Sequence, residues 1–206
     1  MSFHNNEPHA GDLAGRLNWL RAGVLGANDG IVSVAAIVVG VAGATSSVAP
    51  LITAGVAGLV GGAISMALGE YVSVSSQSDS QRALIEKERR ELAEMPDEEL
   101  AELAAIYESK GISAATARQV AEELTRHDAL SAHLEAELGI TERDVVSPWQ
   151  AAGASALAFT IGGVLPLAAI LLVPEPIRVL ATFIAVLSAL VVTGALSARV
   201  GGNSWV

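Results

Sequence analysis

The sequence predicts an all-α, polytopic membrane protein: four transmembrane helices with a hydrophilic three-helix insert between the second and the third. Three observations lead there. Four apolar stretches, residues 19–44, 50–74, 149–173 and 177–198, each reach the length of about 20 apolar residues that crosses roughly 30 Å of hydrocarbon. The chain is 51% hydrophobic but only 4% aromatic, so the excess is Ala, Val, Leu, Ile and Gly, which suits close helix packing in lipid. Residues 79–146, by contrast, carry 17 of the 22 acids and eight of the 12 Lys and Arg, in helical periods.

Taken in order, residues 1–15 are polar, lack the apolar core of a signal peptide and read as a flexible tail. Residues 16–78 hold the first two spans, joined by the short "TSSVA". In the first, "RAGVLGANDGIVSVAAIVVG" (21–40), Asp29 alone interrupts the apolar run. It lies ten positions beyond Trp19, about 15 Å at helical rise, with no basic residue beside it. A carboxylate at that depth costs about 2.5–3.5 kcal/mol on insertion scales, so a functional role is expected. No Gly or Pro falls between Gly69 and Pro96. The second span is therefore expected to continue, unbroken, as the first helix of the insert, about 70 Å in all.

The insert, residues 79–146, predicts helices over 79–94, 97–109 (ended by Gly111) and 113–138 (ended by Gly139), the last broken near His127–Asp128. Residues 147–200 hold the third and fourth spans, separated by "PEP", with Pro166 expected to bend the third. Residues 201–206 form a short C-terminal tail. Arg16, Arg21, the eight basic residues of the insert and Arg199 share one side of the membrane, and Arg178 stands alone on the other. The positive-inside rule then puts the N-terminus and the insert in the cytosol. The membrane is the cell membrane if the chain is bacterial, and vacuolar-type otherwise.

Several classes fall away. With no cysteine, disulfides, thiolate metal sites and thiol catalysis are excluded. A net charge of −10 argues against a nucleic-acid partner, whose phosphates demand Lys and Arg. No organic cofactor is expected.

Two constellations remain. In the insert, Glu88 and Glu91 share a stripe with Leu84 and Leu92, Glu99 and Glu102 one with Leu103 and Ile106, and His133 and Glu137 one with Leu130, Leu134 and Leu138. Carboxylates on stripes that should be apolar are costly unless a cation joins them, and oxygen-rich clusters suit divalent metals. Glu86, Glu94, Glu108 and Glu123 read as solvated charge. In the membrane, Met66 and Glu70 are four apart on one face, and Glu88, 18 residues further, returns to it after five turns. A thioether beside carboxylates favours a transition metal over Mg²⁺ or Ca²⁺. The G-x-x-x-G pairs Gly26/Gly30 and Gly58/Gly62 permit close helix contact.

These residues give the chain a resemblance to the vacuolar iron transporter family. It is carried by "GANDGIVS" (26–33), "GGAISMALGEYVSVSSQ" (61–77), "EKERRELAEMPDEELAELAAIYESKGIS" (86–113), "AHLEAELGI" (132–140) and "SPWQAA" (147–152), and it covers nearly all of 16–200. The resemblance implies a homodimeric divalent-metal/proton antiporter with a cytosolic metal-binding insert and a pathway lined by the first two spans. Its intramembrane acid matches Asp29 and its methionine Met66, while its insert glutamates fall on Glu88, Glu91, Glu99, Glu102 and Glu137. The chain departs from the family twice. His133 and Leu134 stand where methionines are frequent, which makes His133 a candidate nitrogen ligand. The family usually has five membrane helices, and this chain ends at "SARVGGNSWV" after its fourth.

The expected function is export of Fe²⁺, with Mn²⁺ as a further candidate, from the cytosol in exchange for protons, along Asp29, Met66 and Glu70. Two alternatives compete. One is a membrane-anchored metal sensor or buffer. The other is a di-iron, ferroxidase-like enzyme, which the absence of a Glu-x-x-His pair ahead of His127 or His133 argues against.

Overall fold

The computed structural model describes residues 10–141 and 146–200, with side chains from Gly23 to Arg199 within them. The C-terminal tail and the first nine residues of the N-terminal one lie outside the described residues, as do the side chains of Arg16 and Arg21. Every regular element is helical: α1 (Ala10–Ala44), α2 (Val48–Glu94), α3 (Pro96–Ser109), α4 (Ala114–His133), a π-helical turn (Leu134–Leu138), α5 (Pro148–Leu172) and α6 (Glu175–Val200). Four of these helices are long and apolar enough to cross a membrane. The chain is an all-α polytopic membrane protein. It divides into two compact units, one formed by the chain up to Val72 and from Pro148 onward, the other by Ser73–Ser147.

The membrane unit centres on the α1–α5 pair, whose apolar stretches are the most buried of the four spans, while those of α2 and α6 are largely exposed. Phe159 and Ile170 of α5 pack with Val34 and Val38 of α1 and Leu51 of α2, with Met66 and Leu59 against the edge of that cluster. The closest approach is α1 to α5. A Cβ on Gly30 would lie 2.9 Å from the Gly163 amide nitrogen and nearer still to the Phe159 carbonyl, and one on Gly162 would strike the Ala27 carbonyl. Only residues without a side chain let the two backbones meet there. Gly62 gives its space to the Phe159 ring and Gly58 to Ile37. The G-x-x-x-G faces are thus filled by contacts within one chain, the close helix contact their spacing permits.

Polar contacts tie the unit at two further points. Thr193 Oγ1 of α6 donates to Asn28 Oδ1 of α1 at 2.6 Å. Arg178, buried near the start of α6, donates to the Thr45 carbonyl at 3.4 Å, where a cation meets the negative end of α1. α5 runs through the buried Pro166 as one helix. The Tyr71 and Trp149 rings pack at a tilt with centroids 4.7 Å apart, the mixed apolar and polar chemistry of a membrane boundary.

The hydrophilic unit begins on α2, which continues to Glu94 because nothing in 70–94 breaks a helix. Pro96 opens α3 at a position where a missing N–H costs nothing, and Asp97, Glu98 and Glu99 follow in the first turn. The Ser113 side chain caps α4 by accepting from the Thr116 N–H. α4 is interrupted at Asp128 (φ −161°, ψ 93°), the break expected from the sequence, and Asp128 Oδ1 takes the Ser131 N–H at 3.0 Å to restart the helix. Gly139, at φ 62°, ends the π-helical turn in the left-handed region that glycine enters without strain. Ile85, Leu103, Ala117, Ala121 and Leu134 are its buried apolar residues.

Candidate metal centre

Three helical segments each bring one titratable side chain into the interior of the hydrophilic unit. Glu88 comes from α2 and is 3% exposed, Glu99 from the first turn of α3 at 5%, and His133 from the end of α4 at 0%. Each lies on a stripe that also carries buried apolar residues, so the same periodicity that packs Leu103 and Leu134 buries these three. One ligand atom from each residue lies within 4.8 Å of the other two.

The three do not satisfy one another. His133 Nδ1 stands 2.9 Å from Glu88 Oε1 and 3.5 Å from Glu99 Oε2. Neither contact has the direction of a hydrogen bond: both ring nitrogens of His133 and Oε1 of Glu88 are buried with no hydrogen-bond partner among the described residues. A buried polar atom left unpaired costs about 1–3 kcal/mol, so three in one place need an explanation.

Electrostatics strain the site in the same sense. Burial, with Glu137, Glu99, Glu91 and Glu102 around it, pushes the Glu88 carboxyl up to about 7. Glu99 is raised by burial first and then by Glu102, Glu91 and Glu137. His133 is lowered by burial, against the pull of Glu137 and Glu102. A divalent cation among these groups would reverse all three penalties at once, accepting both carboxylates and one imidazole lone pair.

The other sequence candidates stand apart from this trio. Glu91 is half-buried, and its carboxylate takes an ion pair from Lys87 at 2.8 Å. Glu102 and Glu137 are exposed and reach the centre only through their charge. In the membrane unit, Asp29 is exposed on α1 and accepts a hydrogen bond from Ser33 Oγ at 2.8 Å. α1 is continuous through Asn28–Gly30, so neither Asn28 nor Asp29 caps a broken helix. Met66 packs at the edge of the apolar core, and Glu70 is half-buried four residues on. Sequence reasoning missed Ser33 and Thr193. Ser33, at i+4 from Asp29, carried a readable signal; Thr193, 165 residues from Asn28, carried none.

The sequence profile of the VIT family matches residues 20–206. The chain belongs to that family. Among its VIT relatives, a vacuolar iron transporter of Acanthamoeba castellanii is 45% identical over 163 residues, which cover 79% of this chain and 59% of the relative. Vacuolar iron transporter homolog 2 of Arabidopsis thaliana is 37% identical over 191 residues, 92% of this chain and 73% of the relative. Homolog 3 from the same plant is 35% identical over 202 residues, 98% of this chain and 78% of the relative. This VIT chain therefore spans somewhat more than half the length of the Acanthamoeba protein.

Proposed function

We propose that this VIT-family chain is a divalent-metal transporter that exports Fe²⁺, with Mn²⁺ as a second cargo, from the cytosol in exchange for protons. The observation that carries the reading is the convergence of Glu88, Glu99 and His133 in the hydrophilic unit, buried and short of hydrogen-bond partners. Such a centre receives metal ions from the cytosol, which the positive-inside rule makes the side of the insert and of the N-terminus. Glu91, Glu102 and Glu137 supply the negative charge around it that draws the ion in.

The pathway runs along Asp29, Met66 and Glu70 on the first two spans, with the protein working as a homodimer. α2 carries Met66, Glu70 and Glu88 on one continuous helix. At Asp29 a proton and a metal ion compete for one carboxylate, so loading one releases the other, which is the least physics that antiport requires. On this reading the chain is a transporter rather than an enzyme, and the metal is its cargo.

Metal uptake into proteoliposomes tests it. Fe²⁺ accumulation that needs an opposing proton gradient, and that releases protons as metal enters, is the expected result. One observation favours the sensor or buffer as a second reading: the trio lies wholly within Ser73–Ser147 and takes no residue from the spans. Tight metal binding without flux in the same vesicles would select that reading instead.

A further inference from the structure

We infer that the apolar hollow between α1 and α6 is a phospholipid site: one acyl chain lies in it, and the phosphate of the same lipid sits on Arg178. Such a site belongs to the membrane unit alone and is separate from the metal centre.

The hollow has a volume of about 250 Å³. Val32 and Ala36 of α1 and Phe183 of α6 form its exposed rim, and Ala35, Thr182 and Val186 its buried floor. All of them fall within apolar spans. Of the side chains that line it, only Thr182 carries a polar atom, and its Oγ1 already donates to the Arg178 carbonyl at 2.7 Å. A water molecule would find none of the polar partners it needs there. An empty hollow would leave its walls without contact atoms on one side. In a bilayer, hydrocarbon fills it. Any lipid tail would serve, since tails are as apolar as the side chains they touch. Packing thus gives occupancy, and a preference among lipids must come from a polar group.

Arg178 is that group. It lies one turn before Thr182, is 5% exposed, and carries five N–H donors on its guanidinium. Among the described residues its side chain has one hydrogen bond, to the Thr45 carbonyl at 3.4 Å, longer than the usual range of about 2.7–3.2 Å. It pairs with no carboxylate among them: Glu175, three residues earlier, is exposed and forms no ion pair with it. A cation so placed is costly until an anion joins it. The span of α6 begins at Glu175 and that of α1 ends at Ala44, so Arg178 and Thr45 stand where hydrocarbon gives way to headgroups. Phosphate is the anion of that layer, and a guanidinium can hold it through two parallel N–H···O bonds.

The register of the two helices supplies the direction. Arg178 meets Thr45 at one end, Val186 packs with Ala35 further along, and Thr193 bonds Asn28 beyond that. The hollow therefore runs from Arg178 into the span, as an acyl chain runs from its own headgroup.

The test uses the full chain in detergent, with native mass spectrometry to read bound lipid. The probes are phosphatidylglycerol and a diacylglycerol of the same chains, which lacks the phosphate. Ala36→Phe fills the hollow from its exposed rim, and Arg178→Gln removes the charge but can still donate to the Thr45 carbonyl. Ile161→Phe, on an exposed position of α5 outside the hollow, is the control. One phosphatidylglycerol per chain is expected, held at least about tenfold tighter than the diacylglycerol. Ala36→Phe and Arg178→Gln should each weaken it at least about tenfold, and Ile161→Phe should not change it. Equal affinity for the two lipids, or undiminished phosphatidylglycerol binding by either variant, would overturn the site. So would disulfide cross-linking of two chains in membranes through Ala36→Cys, which would put a second copy in the hollow instead of a lipid. The two-lipid comparison on the unmutated chain and the Ala36→Phe result decide the matter even where Arg178→Gln does not fold.

Discussion

Nδ1 of His133 and Oε1 of Glu88 lie 2.9 Å apart, both sealed from solvent, and no hydrogen bond joins them. Two buried polar atoms this close with no hydrogen bond between them are costly to leave so, and a shared cation would satisfy both. The relationship sets the chemistry expected of the hydrophilic unit, and four measurements follow from it and from the packing of the spans.

Metal binding should strengthen as pH rises through neutrality. Glu88 is pushed up to about 7, chiefly by burial and then by Glu137, Glu99, Glu91 and Glu102, so below that pH an incoming cation must displace its proton. His133 is lowered by burial, which favours its neutral, metal-binding form. Affinity should fall about tenfold per pH unit below 7 and level off above about 8. Calorimetry across pH 5.5–8.5, in two buffers of different ionisation heat, would read both the affinity and the proton released. A flat profile would remove Glu88 from the ligand set.

Glu99 and Glu102 share a helix and a stripe but not a role. Glu99→Gln should weaken Zn²⁺ or Fe²⁺ binding at least about tenfold to a hundredfold, because it removes a buried ligand. Glu102→Gln should cost only a few-fold, because an exposed charge acts through screened attraction. Equal losses for the two variants would mean that the exposed carboxylate also binds the ion.

The α1–α5 crossing should tolerate no side chain. Gly30→Ala places a methyl against the Phe159 carbonyl and the Gly163 amide, which are backbone atoms and cannot give way, and should cost about 1–3 kcal/mol. Gly153→Ala on α5 meets nothing within 4 Å and should be neutral or slightly stabilising, by up to about 1 kcal/mol of helix propensity. Thermal midpoints of the two variants in one detergent give the comparison.

Asp29→Asn keeps an oxygen to accept the Ser33 hydroxyl and removes the charge. It should abolish proton-driven metal uptake into vesicles while leaving the metal affinity of the hydrophilic unit unchanged, since Glu88, Glu99 and His133 are untouched. Uptake at the normal rate would make Asp29 part of the scaffold and move the coupling step elsewhere.

Much of the fold was readable because its causes are local. Span length, the absence of any breaker from 70 to 94, Pro96 at a helix start, Ser113 at a cap and glycines at two helix ends act over a few residues, and α2, α3 and the break at Asp128 follow from them. The site was readable only as a set of stripes. Periodicity gives the face of a helix on which a residue lies, not the depth to which that face is buried. Six candidates in the insert were therefore equal in the sequence, while the structure separates three buried ones from Glu91, held by Lys87, and from exposed Glu102 and Glu137.

The sequence by itself determined an all-α membrane protein with an acidic helical insert, because hydropathy and helix signals are properties of neighbouring residues. Only the tertiary structure decided which partners meet. Gly30 faces Gly163 and Phe159, Asn28 is held by Thr193, and His133 closes on Glu88 and Glu99 from the far end of the insert. Such pairings join residues 34 to 165 positions apart, set by how whole helices pack, and no local pattern encodes them.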